Sequence, residues 1–519
     1  MSRPAHARVL AAVCAGLAVL AMSCDAVSHT TQPTTTPLSP GVGSAPRSQP
    51  TTRHTTSTPQ TASTGQSTST SVPTATAAAV PEPKLVRREC DTDPSVGQTD
   101  CYWLEVPERR DRLGARTIRL WVAVVHRKDA APGAIPFVFL TGGPGVASST
   151  GLVDGHLFGP PTDVVVVDQR GTGRSEPRLD CPELVTARLD GTHPWSERLA
   201  SLRAATATCR DRLSASGVDL DGYDTVENAA DVVDLRRALG YTTWNIGAMS
   251  YGGRLAREVF RQDPTGVSSL TLDSTIPTAH FGPAALLATA DDALARLSNA
   301  CAAQPRCADA NGDIAQNLAT AAARLDHTPH PLPLSSTGQA RTITGTDLYY
   351  GADQALHQTT LIPLLPAAST SLARGDDSLL DALAAQLDGP PPTDPRDDYA
   401  TALDDIISCA DEQAGFSAAD RAAIENPGRW ATLMANRPWP TCDAWHVSSI
   451  DRGGLAAVSG DIPVLAVFGS LDPDAPPTNR EEIRTQFPAS ISLVYPGGGH
   501  GVLGIDDCAS NIALAFVQA

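Results

Sequence analysis

An α/β protein with a doubly wound, mostly parallel sheet and a large inserted helical cap is predicted by three observations in this sequence. Continuous apolar runs such as Ile135–Leu140 and Asp163–Asp168 read as parallel strands covered on both faces. These runs alternate with helical patterns, the order of a wound sheet. Between Asp273 and about Asp461 the alternation stops, leaving alanine- and leucine-rich stretches of helical period broken by prolines.

The elements follow in order. Cys101–Val106 and Thr117–Val125 alternate apolar and polar residues around the polar turn Glu108–Arg116, as an antiparallel hairpin entering a sheet does. Strands over 135–140 and 163–168 come next, then a helix over 226–239 capped by Thr225 and strands over 244–249 and 267–272. In the inserted region helices are expected over 284–297, 312–325 and 376–387, with breaks at His330–Pro333 and Gly389–Pro395. Ile462–Gly469 and Ser490–Tyr495 are the last strands, and a helix over about 508–517 closes the chain.

At 519 residues the chain exceeds what one compact core usually holds. The expected organisation is a signal peptide over 1–24, a disordered Ser/Thr/Pro-rich linker over 25–83, a first core part over 84–275, a helical cap over 276–455 and a second core part over 456–519. Arg3 to Arg8 precede the apolar run Val9–Met22, the pattern of an export signal too short for a stable membrane span. Ala21-Met22-Ser23-Cys24 resembles a lipobox, so Cys24 is expected to carry a lipid anchor; the other reading is cleavage nearby that leaves Cys24 a plain thiol. The linker has almost no large apolar residue and cannot offset its ordering entropy by burial. A net charge of −18 argues against nucleic acid and against an anionic membrane surface as partners. Membrane contact is expected only through the anchor, the chain is expected to be secreted or held at the cell surface, and a monomer is expected.

In an exported protein the remaining cysteines read as disulfides between sequence neighbours: Cys90 with Cys101, Cys181 with Cys209, Cys301 with Cys307 and Cys409 with Cys442, with Cys508 left over. No Cys-x-x-Cys or His-x-x-x-His spacing supports a metal, and no cofactor is expected.

The stretch Asn245-Ile-Gly-Ala-Met-Ser-Tyr-Gly-Gly-Arg254 reads as a short strand turning tightly into an amphipathic helix, with Ser250 at the apex. Small residues at Ala248, Gly252 and Gly253 let the backbone double back. A serine there presents its hydroxyl at the carboxyl edge of the sheet, where a nucleophile needs it. Its base and the group orienting that base must come from the same edge. Downstream, the strand over 462–469 ends in Ser470-Leu-Asp-Pro-Asp474, and the strand over 490–495 ends in Gly497-Gly-Gly-His500. Asp472 is chosen as the carboxylate, with Asp474 second, and His500 as the base. The oxyanion of a tetrahedral intermediate needs two donors. The backbone amide of Tyr251 follows the nucleophile, and Gly143 in Thr141-Gly-Gly-Pro-Gly145 is the second, since Pro144 has no amide hydrogen.

Gly142-Gly-Pro-Gly145, Asp168-Gln-Arg-Gly-Thr-Gly-Arg-Ser175, Ser250-Tyr-Gly-Gly253, Asp472-Pro473 with Pro476, and Gly499-His500 together resemble the prolyl iminopeptidase and tripeptidyl aminopeptidase branch of the α/β-hydrolases, from about Cys90 onward. The resemblance implies release of tripeptides or single residues from peptide N-termini through an acyl-enzyme, with Ser250, Asp472 and His500 as the triad. It implies that Asp168–Gly171 is a buried turn pairing arginine with aspartate. Thr141 stands where this branch carries histidine or asparagine, Ala248 where it carries glycine, and Ala475 where threonine is frequent. Cys409-Ala-Asp411-Glu412 resembles a family segment in the cap, making Asp411 and Glu412 candidates for the substrate ammonium. Two alternatives stand beside the aminopeptidase: a carboxylesterase using the same triad on an ester, and a non-catalytic surface protein.

Overall fold

The apolar runs become strands because each lies between neighbours on both sides and under helices on both faces. In the computed structural model, residues 81–518 are described apart from 93–96, 151–158, 189–190, 279, 333–340, 382–395, 397–398 and 451–457. The signal peptide, Cys24, most of the linker and much of the predicted 376–387 helix therefore lie outside the described residues.

The main sheet is built from β1 (Lys84–Arg88), β2 (Gln98–Pro107), β3 (Thr117–His126), β4 (Phe137–Leu140), β5 (Val164–Val167), β6 (Trp244–Met249) and β7 (Val267–Asp273). After a short two-stranded sheet of β8 (His330–Leu332) and β9 (Arg341–Ile343), it is completed by β10 (Val464–Gly469) and β11 (Ile491–Tyr495). Its order is β1-β2-β3-β5-β4-β6-β7-β10-β11, antiparallel from β1 through the β3–β5 pair and parallel from there on. Every residue of β5 and β10 is buried. The carboxyl ends of β4, β6, β7, β10 and β11 share one edge, so the loops after them converge. This is the α/β-hydrolase fold.

Helix Thr225–Ala238 is capped by the Asp224 carboxylate, which accepts from the Glu227 amide at 2.8 Å, not by Thr225. Thr225 is occupied elsewhere: its hydroxyl donates to Asp411 at 2.6 Å. The predicted break at His330–Pro333 is partly strand, because a three-residue pair with a proline on it carries no readable period. Helices Pro283–Ala302 and Ile314–His327 replace the predicted 284–297 and 312–325. A long helix that the sequence reading missed, Trp195–Ala215, packs on the inserted helices: Trp195 Nε1 donates to Ile424 O at 2.8 Å, and Arg210 donates to Ala444 O at 2.7 Å. All four predicted disulfides are present, and Cys508 takes no part in them.

Candidate active site

Ser250 sits where β6 turns into helix Tyr251–Gln262, at φ 56° and ψ −124°. A residue with a side chain is strained there. The turn is tight because helix and strand touch: a Cβ on Gly252 would stand 2.1 Å from the Leu140 carbonyl oxygen, so only glycine fits. The Ser250 amide donates to Asp273 O at 3.0 Å, tying the apex to the end of β7.

The loop after β4 lies against the serine, since a Cβ on Gly142 would come 2.7 Å from Ser250 Cβ. Gly143, at φ 107°, adopts a conformation that favours glycine. Thr141 closes this loop, its hydroxyl donating to Val146 O at 2.9 Å while Gln169 Nε2 donates to Thr141 O at 2.9 Å. Tyr251 is the first residue of its helix, where an amide has no partner within the helix. Its phenol points inward and meets the Thr225 hydroxyl at 2.9 Å.

Asp472, fully buried after β10, lies with both oxygens 3.0 Å from His500 Nδ1. The amides of Asp474 and Ala475 donate to its Oδ1 at 2.9 and 2.8 Å, which fixes the carboxylate. Burial pushes the Asp472 carboxyl up, but His500 and these donors outweigh it and hold it below its ordinary range. Burial opposes protonation of His500, and Asp472 overcomes it and raises the imidazole. With Nδ1 engaged by Asp472, Nε2 is the nitrogen left for proton transfer. The serine and histidine loops meet through their neighbours: a Cβ on Gly501 would be 2.5 Å from Met249 Cε.

Sequence reading missed Asp273, which ties the two loops together. Its carboxylate accepts from Val502 N at 2.9 Å and Leu503 N at 2.8 Å, just past His500. Burial pushes it up to about 6. Its place at the end of a parallel strand was the available signal. Asp474, second choice for the orienting carboxylate, instead pairs with Arg437 at 2.8 Å and with His357 Nε2 at 3.2 Å.

A pocket opens in front of Ser250, walled by Gly143, Tyr399, Ile407, Phe281 and Trp439. Asp411 and Glu412 both line it, as do Asp404 and Asp474. Glu412 is 2.6 Å from Arg254 of the elbow helix and 2.8 Å from His280 Nδ1, and Asp411 is 3.7 Å from Arg254. Both carboxylates named from sequence thus face the site with a protein guanidinium already beside them. Asp404 sits on the same helix, Thr401–Glu412, two turns earlier, with the Ser408 hydroxyl donating to it at 3.1 Å. Burial pushes Asp404 up to about 6 and Asp411 up to about 7. In the Asp168–Gly171 turn, Arg170 pairs with Asp231 at 2.6 Å, while Asp168 accepts from the Ser149 and Arg174 amides. The turn is a buried brace, and its arginine and aspartate find separate partners.

Comparison with known proteins yields two matches to family models. The model for the α/β hydrolase fold matches residues 135–304, and that for TAP-like protein matches residues 427–519. The first contains Ser250 and the loop after β4, and the second contains Asp472 and His500. No curated protein matches. Solved structures that resemble the chain include a proline iminopeptidase from Mycobacterium smegmatis, 16% identical over 77% of this chain and 95% of the other, with a TM-score of 0.36. A proline iminopeptidase-related protein from Thermus thermophilus is 18% identical over 84% and 99%, with a TM-score of 0.32. An esterase from Rhodococcus sp. is 16% identical over 78% and 95%, with a TM-score of 0.32. By its sheet and the first of these matches the chain has the α/β-hydrolase fold, and its residues 427–519 are similar to the TAP-like model.

Proposed function

We propose that the protein is an exported serine hydrolase, an aminopeptidase that releases tripeptides or single residues from peptide N-termini through an acyl-enzyme. The observation that carries this reading is Ser250 on a strained elbow, at the sheet edge where the Asp472–His500 pair also stands. Ser250 Oγ attacks the scissile carbonyl as His500 Nε2 takes its proton, and Asp472 holds the Nδ1–H and stabilises the imidazolium. The amides of Tyr251 and Gly143 receive the oxyanion. Collapse breaks the peptide C–N bond, and His500 returns the proton to the leaving amine. Water, deprotonated by the same imidazole, then cleaves the Ser250 ester.

The acidic wall supports an N-terminal ammonium as the group recognised. Asp404, Asp411, Glu412 and Asp474 line the pocket beside Arg254 and Arg437, with Asp474 already paired to Arg437 and His357. Asp411 and Glu412 are buried and share Arg254, while Asp404 is half-buried and accepts from the Ser408 hydroxyl, so Asp404 is the carboxylate this reading assigns to the ammonium. Export is supported by the four disulfides, which form in oxidising compartments. A lipid on Cys24 would hold the enzyme at the membrane; mass spectrometry of the mature N-terminus in the membrane fraction tests it.

The decisive substrate experiment compares free and N-acetylated tripeptidyl arylamides with short p-nitrophenyl esters. The proposal expects cleavage of the free arylamide and at least a hundred-fold loss on acetylation, the order of one charge-assisted contact. Ester turnover with no arylamide turnover would replace the aminopeptidase by a carboxylesterase.

A further inference from the structure

A second imidazole stands beside His500, and no family pattern quoted above contains it. It belongs to His357, the last residue of helix Gly345–His357 in the inserted region. The two rings lie edge to face with centroids 5.3 Å apart. The contact is reinforced through the backbone: the His500 amide donates to His357 O at 3.1 Å, and the Gly499 amide donates to Thr359 Oγ1 at 3.0 Å. Gly499 allows this approach, since a Cβ there would be 2.2 Å from Leu356 O.

The His357 ring is held at both nitrogens. Nδ1 lies 2.9 Å from the Asp353 carbonyl oxygen and Nε2 lies 3.2 Å from Asp474 Oδ2. Both partners accept, so both nitrogens carry hydrogen and the ring is an imidazolium. One loop therefore serves two histidines: Asp472 grips His500, and two residues on Asp474 grips His357. Around His500 stand Asp472 and Asp474 from the loop after β10, Asp273 from the end of β7, and His357 from the inserted helix. Around His357 stand Asp353 of its own helix, Asp472 and Asp474 of the loop after β10, His500 and Arg437.

We propose that His357 is a positioning residue for His500: its carbonyl and ring pin the histidine loop, and its positive charge keeps the neighbouring imidazole in the neutral, proton-accepting form. Asp472, helped by Asp474, draws a proton onto His500, which orients the base but also disarms it at mildly acid pH. The fixed cation on the far side opposes that effect. Burial works against a charge on His357, but Asp474 and Asp353 overcome it and raise the ring to about 9, so the charge persists across the neutral range. The inserted region thus lends a charge to the base as well as a roof to the site. This inference rests on the triad reading above.

The test is His357→Gln, which keeps the backbone carbonyl and a side-chain donor but removes the charge, with His357→Arg as the variant that restores it. The pH dependence of fluorophosphonate labelling of Ser250 is measured together with the His500 titration midpoint by long-range 1H–15N NMR. In His357→Gln both midpoints should move up by about one pH unit, the Coulomb effect of one charge at this separation in a partly screened site. Labelling at pH 6 should fall about ten-fold, and the two enzymes should converge above pH 9, where the wild-type ring loses its own charge. His357→Arg should return the midpoint toward wild type. A profile that superimposes on wild type, or one lowered equally at every pH, would overturn the proposal, the latter leaving only a packing role. If the wild type takes up no label at all, the triad reading fails, and the NMR midpoint alone decides this one.

Discussion

Strain at the elbow can be separated from the chemistry of its hydroxyl by comparing Ser250→Gly with Ser250→Ala. Both remove the nucleophile, but only glycine relaxes at φ 56°, ψ −124°. A side chain held in such a region costs about 1–3 kcal/mol. Glycine returns about 0.5–1 kcal/mol of this by giving the unfolded chain more freedom. Taking the middle of each range, the difference favours Ser250→Gly over Ser250→Ala by about 1 kcal/mol, a rise in melting temperature of about 1 °C in a domain of this size. Differential scanning calorimetry at pH 7 with disulfides intact reads it, and neither variant should take up a fluorophosphonate. If Ser250→Gly melts at or below Ser250→Ala, the elbow stores no strain. The account of why Ser250 is presented at the sheet edge would then be wrong.

Other outcomes follow from the same geometry. His500 must be neutral to accept a proton and is raised by Asp472, so kcat/KM should rise with pH through a midpoint above 6.5; a midpoint below 6 would contradict the pairing. Asp411, raised to about 7 by burial, binds a proton in the folded chain that the unfolded chain releases near 4, so its ionisation costs stability as pH rises between those values. Asp411→Asn should therefore gain melting temperature relative to wild type between pH 5 and pH 8, and a pH-independent difference would refute this. Breaking Cys409–Cys442, which spans 33 residues, should cost about 4 kcal/mol, against about 2 kcal/mol for Cys301–Cys307, which spans 6. Denaturant titration of the paired-alanine variants checks the order, and a larger loss from the shorter loop would contradict it.

Much of the fold was legible because parallel strands bury both faces and so announce themselves as unbroken apolar runs, as Val164–Val167 does. The elbow and the Asp472 loop follow such runs, and His500 follows the less buried edge strand Ile491–Tyr495, so the meeting of the three loops at one sheet edge was legible from their order. Helix Trp195–Ala215 was not, since arginines and threonines interrupt its apolar face and its burial comes from packing on distant inserted helices. Asp404 and His357 were equally invisible. Each sits in an ordinary helical pattern, and only the way the inserted region folds back over the sheet brings them to the site. Arg254 illustrates the same limit from the other side. On sequence it is a polar position of an amphipathic helix, whereas in the fold it is buried and neutralises the carboxylates named for substrate binding.

The claim on which the rest depends is that Ser250 is a nucleophile activated by His500 and Asp472. Peptide mapping by mass spectrometry after fluorophosphonate treatment tests it directly, in the wild type and in Asp472→Asn. The account predicts a single adduct on Ser250 in the wild type, formed at least a thousand-fold more slowly in Asp472→Asn, where the imidazole is held in the wrong tautomer. An adduct on another serine, or equal rates in both proteins, would contradict it.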